Sequence, residues 1–193
     1  MVRYRRLTIP FRLLTVLIGL TFLWETIQYI AGRIFGNSML VEHIAAAIEY
    51  VFFSVIYFYL LNDVIIKRII FYSIFLMIFL EILNIFWGEG MRQFPSNFLN
   101  ISQVIYFVFS ILFFRQMLLW PSANNILKQS RFWFNLDIMF FASSMFLNFA
   151  LTNYFLKHKL NEMMLYQLSY VINMIFYVVI GGAVLMDHGE ADI

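Results

Sequence analysis

Cysteine is missing from the chain altogether. That rules out disulfides, thiolate metal sites, iron–sulfur clusters and cysteine nucleophiles. Charge is nearly as scarce, at 12% of 193 residues and a net value of +2. A soluble domain carries about 25% charged residues, and a nucleic-acid surface needs a basic stripe that these few charges do not supply. Proline occurs three times and glycine eight times, so little interrupts long helices. No glycine-rich phosphate loop, nucleophile elbow or HExxH motif is present, and the Glu-x-x-His signature of bundle di-iron sites is lacking. The reading therefore expects no enzyme, no cofactor and no resident metal.

What fills the space is hydrocarbon: 63% of the residues are hydrophobic and 20% aromatic. A globular core cannot absorb such an excess while leaving a polar surface, but a bilayer can. A spanning helix needs about 20 mostly apolar residues. Runs of that kind cover 13–31, 42–61, 66–87, 98–119, 132–156 and 163–186, the first ending at Gly32 and the third at Gly88. Pro95 and Pro121 flank the fourth run, as helix-terminating residues should. The expected fold is an all-α, polytopic membrane bundle of six transmembrane helices, forming a single transmembrane domain over 1–193. Arg3, Arg5 and Arg6 before an apolar run resemble the start of a secretory signal, but the run is too long and carries Glu25, so it reads as a retained first helix. Trp87, Trp120 and Trp133 fall at run ends, where an amphipathic indole is favoured.

Orientation follows from the basic loop residues. With the N-terminus inside, nine fall on the inner side (Arg3, Arg5, Arg6, Arg12, Lys67, Arg68, Arg115, Lys128, Arg131) and four on the outer (Arg33, Arg92, Lys157, Lys159). The positive-inside rule then puts both ends in the cytoplasm, with 187–193 as an acidic cytoplasmic tail.

The polar residues inside the runs carry whatever functional signal there is. A charged side chain at mid-membrane costs at least about 2.5–3.5 kcal/mol on insertion scales, so it should face protein or water. Glu25, Glu49 and Glu81 have no lysine or arginine within the runs to pair with. Helical spacing gathers Glu25 with Gln28, Glu81 with Asn84, and Gln103 with Tyr106 and Ser110. By depth, Glu25, Glu49, Glu81, Asn84, Gln103, Tyr106, Asn148, Gln167, Tyr170 and Asn173 all fall in the outer half of the membrane. The inner stretches 13–22, 55–60, 69–79, 111–114 and 175–185 are much more apolar; Asn135 and Asp137 are the exceptions. These residues, with Gln28, are the candidate ligand-binding set: a polar pocket open to the outside above a hydrophobic floor. The plainer alternative is that they hydrogen-bond helices together. A metal held by Glu25, Glu49, Glu81 and His43 is a weaker alternative, because His43 points away from its neighbour Glu42. His158 and His188 read as solvated loop and tail residues.

A constant offset links some of these positions. A shift of 56 carries Glu25 onto Glu81, Gln28 onto Asn84, Tyr50 onto Tyr106 and Ser54 onto Ser110; a shift of 64 carries Asn84 onto Asn148, Gln103 onto Gln167 and Tyr106 onto Tyr170. Three helical hairpins of common origin, as in some transporters, and coincidence under a freely chosen offset both account for this.

Phe132-Trp133-Phe134-Asn135 at the start of the fifth run, and Ala47-Ile48-Glu49-Tyr50 in the second, resemble a family of uncharacterised six-helix bacterial integral membrane proteins, as do length and helix number. The stretch from Phe140 to Ser144 departs from that family's Gly- and Tyr-bearing pattern. The resemblance implies no activity, but such proteins often occur beside signalling kinases, which points toward sensing. The leading expectation is thus a sensory or small-ligand-binding membrane module. Its expected partners are the lipid bilayer, a cytoplasmic or membrane signalling protein that docks on the inner loops around Lys67-Arg68 and 123–131, and a second copy of the chain. A membrane transporter or the substrate-binding subunit of an importer is the alternative, although the small-residue docking face of such subunits is reduced here to Thr15 and Gly19. An intramembrane enzyme and a structural subunit rank lower.

Overall fold

A computed structural model describes residues 4–120, 125–158 and 163–187. Arg3, Pro121, Lys159, His188 and the tail after Asp187 lie outside the described residues. Six helices account for nearly all of the rest: α1 Ile9–Phe35, α2 Met39–Leu60, α3 Val64–Trp87, α4 Ser96–Leu119, α5 Ser130–Lys157 and α6 Met163–Met186. Each is long and apolar enough to cross a bilayer. The chain is a multi-pass membrane protein.

The helices overrun the apolar runs that announce them. Polar and aromatic residues at the ends stay helical as the chain leaves the hydrocarbon. Pro10 sits in the first turn of α1, where its missing N–H costs nothing. The helix continues through Gly32 and ends four residues later than expected, at Gly36, whose φ of +71° suits a residue without Cβ. α3 stops at Gly88 as expected. Its last turn is closed by Gly88 N–H and Gly90 N–H donating to Asn84 O at 3.0 and 3.2 Å, with Gly90 at φ +78°. A Cβ on Gly88 would fall 2.4 Å from Asn84 Oδ1, so only glycine lets the chain fold back over that side chain. Asp63 caps α3, accepting from Ile65 N and Ile66 N at 2.7 and 3.2 Å.

The chain divides into two compact units. In Ile9–Leu99, α1 packs on α2 and α2 on α3, around Leu14, Leu17, Tyr50, Phe53, Ile56, Tyr57, Ile70 and Met77. In the other unit, α5 packs on α6, with Phe141 and Phe176 in ring contact at 4.2 Å between centroids. The first residues of α4 belong to the first unit and its remainder to the second.

The distribution of exposure is that of a protein dissolved in lipid. Phe22, Phe71, Tyr72, Phe75, Trp87 and Trp120 are all more than half exposed, whereas Glu81, Gln103, Asn135, Asp137 and Asn148 are buried. α3 makes the inversion plain: its fully buried residues are Ile70, Met77 and Glu81, one face by helical spacing. Asp187, the first residue of the acidic tail, is held against the protein. It is buried, and its Oδ2 accepts from Thr8 N at 2.8 Å and Thr8 Oγ1 at 3.2 Å.

Candidate functional site

The most developed polar cluster lies where α2 begins and α3 ends. These two helices form an antiparallel hairpin about the short turn at 61–63. His43 stands 19 residues before Asn62 and Glu81 stands 19 after it, so the hairpin brings them to one level. Tyr50, 12 residues before Asn62, and Ser73, 11 after it, meet in nearly the same register, and Tyr50 Oη donates to Ser73 Oγ at 3.0 Å. His43 is completely buried and Glu81 nearly so. His43 Nδ1 lies 2.6 Å from Glu81 Oε1, while Nε2 faces Gly90 O at 3.1 Å and Gln93 O at 3.2 Å.

The partners fix the proton count. Gly90 O and Gln93 O only accept, so Nε2 carries a hydrogen. Nδ1 and Oε1 at 2.6 Å need a second hydrogen between them. An imidazolium facing a carboxylate and a neutral imidazole facing a carboxylic acid both supply it, and both leave the pair neutral overall. Without that proton, a nitrogen lone pair would face a carboxylate and the contact would be repulsive.

Around the pair the network continues into the loop between α3 and α4. Asn84 Nδ2 lies 3.5 Å from Glu81 Oε2 and donates to Glu89 Oε2 at 2.9 Å. Glu89 accepts from Ser96 Oγ and from Asn97 N at 3.1 and 3.3 Å. A carboxylate here is favoured by the free N–H groups and partial positive charge of the α4 N-terminus. Two helices, a loop and the start of a third thus share one set of hydrogen bonds.

A second cluster joins α1 to α2. Gln28 Nε2 donates to Glu42 Oε2, and Glu42 lies within electrostatic reach of Glu25 and Glu49. In the other unit, Asn148 Nδ2 donates to Leu165 O at 3.0 Å, and Asn148 Oδ1 accepts from Ser169 Oγ at 3.0 Å. Asn173 Nδ2 donates to Ser169 O at 2.9 Å, and Asn135 Nδ2 to Ser110 O at 3.0 Å. Gln103 and Tyr106 are buried. Asp137 is buried as well, and its Oδ2 has no hydrogen-bond partner among the described residues.

The candidate residues therefore do not all converge. Glu81 and Asn84 belong to the His43 cluster, Gln28 to the Glu42 cluster, and Asn148 and Asn173 to the α5–α6 seam. Glu49 is half-buried, while Glu25, Gln167 and Tyr170 are exposed, Tyr170 to 75%. The side chains of these three are open at the surface of the protein and are not enclosed in a pocket. The offset pairs follow the same division. Tyr50 and Tyr106 are both buried, as are Ser54 and Ser110, but Tyr170 is not.

Glu81 has no lysine or arginine within the runs to pair with, and its partner is His43. The signal that would have found it was the hairpin count about Asn62. Among the described residues, no three His, Asp or Glu side chains are placed to share one metal ion.

Above this cluster, a cavity of about 650 Å³ is lined by Gly32, Phe35, Gly36, Asn37, Ser38, Met39 and Arg92. His43 lies four residues along α2 from Met39, about one helical turn or ~6 Å deeper. No family model, curated protein or solved structure matches the chain.

Proposed function

We propose that this protein is a membrane-embedded sensory or small-ligand-binding module of a bacterial inner membrane, with both ends cytoplasmic. Its ligand enters from the outer face and a partner protein carries the signal onward. The observation that carries this reading is the buried His43–Glu81 pair, tied to the loop carbonyls of Gly90 and Gln93 one turn below the Arg92 cavity. A ligand in that cavity that moves the loop changes both acceptors of His43 Nε2. The hydrogen bond to Glu81, and with it the packing of α2 on α3, responds. The excess of basic residues on the inner side supports the orientation.

The test is thermal unfolding of the protein in nanodiscs against a library of small water-soluble metabolites. A supporting result is a compound that raises Tm in the parent chain and loses most of that effect in Arg92→Ala and His43→Gln. If no compound stabilises the parent, or if every hit stabilises both variants equally, the reading fails.

One observation favours transport instead. A buried acid with an unpartnered oxygen, Asp137, is the kind of group that intramembrane ion pathways use. Under that reading, vesicles containing the protein accumulate a labelled ion or solute and Asp137→Asn abolishes the uptake. Equal uptake by both proteins excludes a role for Asp137.

A further inference from the structure

On the side of the α2–α3 hairpin runs a groove of about 460 Å³. Its lining is Ile44, Ala47, Ile48, Val51 and Phe52 from α2 and Ile78, Ile82 and Ile85 from α3, together with His43 and Glu81. His43 and Glu81 are both buried and turn their polar atoms to each other and to the loop, so the surface facing the groove is carbon. Ile44 and Ile82 are about half exposed, at 53% and 46%, so the groove opens sideways, within two candidate membrane spans.

Its dimensions decide what fills it. From His43 to Phe52 is nine residues, or ~14 Å of helix at the α-helical rise. Half of a hydrocarbon core of about 30 Å is ~15 Å. The α2 side of the groove is thus about one leaflet long and begins one turn into α2. Its floor is set by Ala47, the one small side chain among seven isoleucine, valine and phenylalanine neighbours. Helices that dock in membranes use small residues four apart so that backbones approach; here the position four after Ala47 is Val51 and the position four before is His43. Without that spacing a second helix has no close seat here, whereas a single hydrocarbon chain needs none.

We propose that the groove holds one acyl chain of a bilayer phospholipid, drawn from the leaflet in which α2 begins. The chain lies along α2 and covers the flank of the His43–Glu81 pair, keeping water from reaching it sideways. This inference rests on the membrane-spanning character of α2 and α3 and not on the sensing reading, so either can fail alone.

The experiment uses the full chain in phosphatidylcholine nanodiscs doped with a phosphatidylcholine that carries a diazirine midway along one acyl chain. After illumination, adducts are mapped by peptide mass spectrometry. The expected result is labelling at Ile44, Ile48, Phe52, Ile78, Ile82 and Ile85 about fivefold above that at Tyr72, Leu76 and Phe79, a ratio equivalent to about 1 kcal/mol of preference. Those three side chains are exposed on another face of α3. Ala47→Phe fills the floor and lowers groove labelling to the level of that face. Ile82→Trp, which fills the groove from the opposite wall, does the same and serves where the first variant fails to fold. Uniform labelling around α3, or groove labelling unchanged in a folded variant, overturns the proposal. So does a second copy of the chain at this face, seen as efficient disulfide-linked dimers of Ala47→Cys in a chain that is otherwise free of cysteine.

Discussion

At the scale of single residues, the informative group is His43. Its ring is buried with every polar atom engaged, which ties the loop at 90–93 to the end of α3. Interhelical hydrogen bonds between uncharged groups in membranes average about 0.6 kcal/mol and reach about 1.7. A short bond within a proton-sharing pair should exceed that average, because each partner left alone keeps a desolvated polar atom. A double-mutant cycle with His43→Ala and Glu81→Leu is expected to give a coupling above about 1 kcal/mol in reversible unfolding from mixed micelles. A coupling at or below the average would reduce the pair to ordinary helix glue. Glu81→Gln should lose less than Glu81→Leu, since an amide can still donate to Nδ1.

At the scale of elements, Glu89 shows how a loop residue can set a helix. It sits outside any span, yet it bridges the last turn of α3, through Asn84, to the first turn of α4, through Ser96 and Asn97. Removing a helix cap costs about 0.5–2 kcal/mol. Glu89→Ala is expected to fall in that range and to speed hydrogen exchange at Ser96, Asn97 and Phe98 while leaving the middle of α4 unchanged. Exchange that rises equally along α4 would mean the residue supports packing and not the cap. Elsewhere the element scale is governed by hairpins. α2–α3 and α5–α6 each carry a polar seam, Tyr50 to Ser73 and Asn148 to Ser169, within otherwise apolar faces. In hydrocarbon such bonds select register, since apolar side chains pack about as well against lipid as against each other.

At the scale of the whole molecule, the open quantity is direction in the membrane. The chain has no cysteine, so single cysteines can be placed without background. Asn37 and Arg92 are expected to react with an impermeant maleimide added outside intact cells, and Asn62 and Leu127 only after lysis. The opposite pattern would invert the topology, bring the Arg92 cavity to the cytoplasm and reverse the proposed route of the ligand.

Helix number and approximate span could be read from the sequence because the bilayer sets a length scale of about 20 residues, and Gly88 and Pro95 mark ends by backbone chemistry alone. The charge bias of the loops is likewise a property of composition. Facing could not be read. In these runs apolar residues surround the helix on all sides, so Glu25 and Glu81, 56 positions apart and alike in context, end up one exposed and one buried. Only tertiary packing brought His43 under the loop to meet Glu81 and left Tyr170 exposed, because which face of a membrane helix meets a neighbour depends on the neighbour.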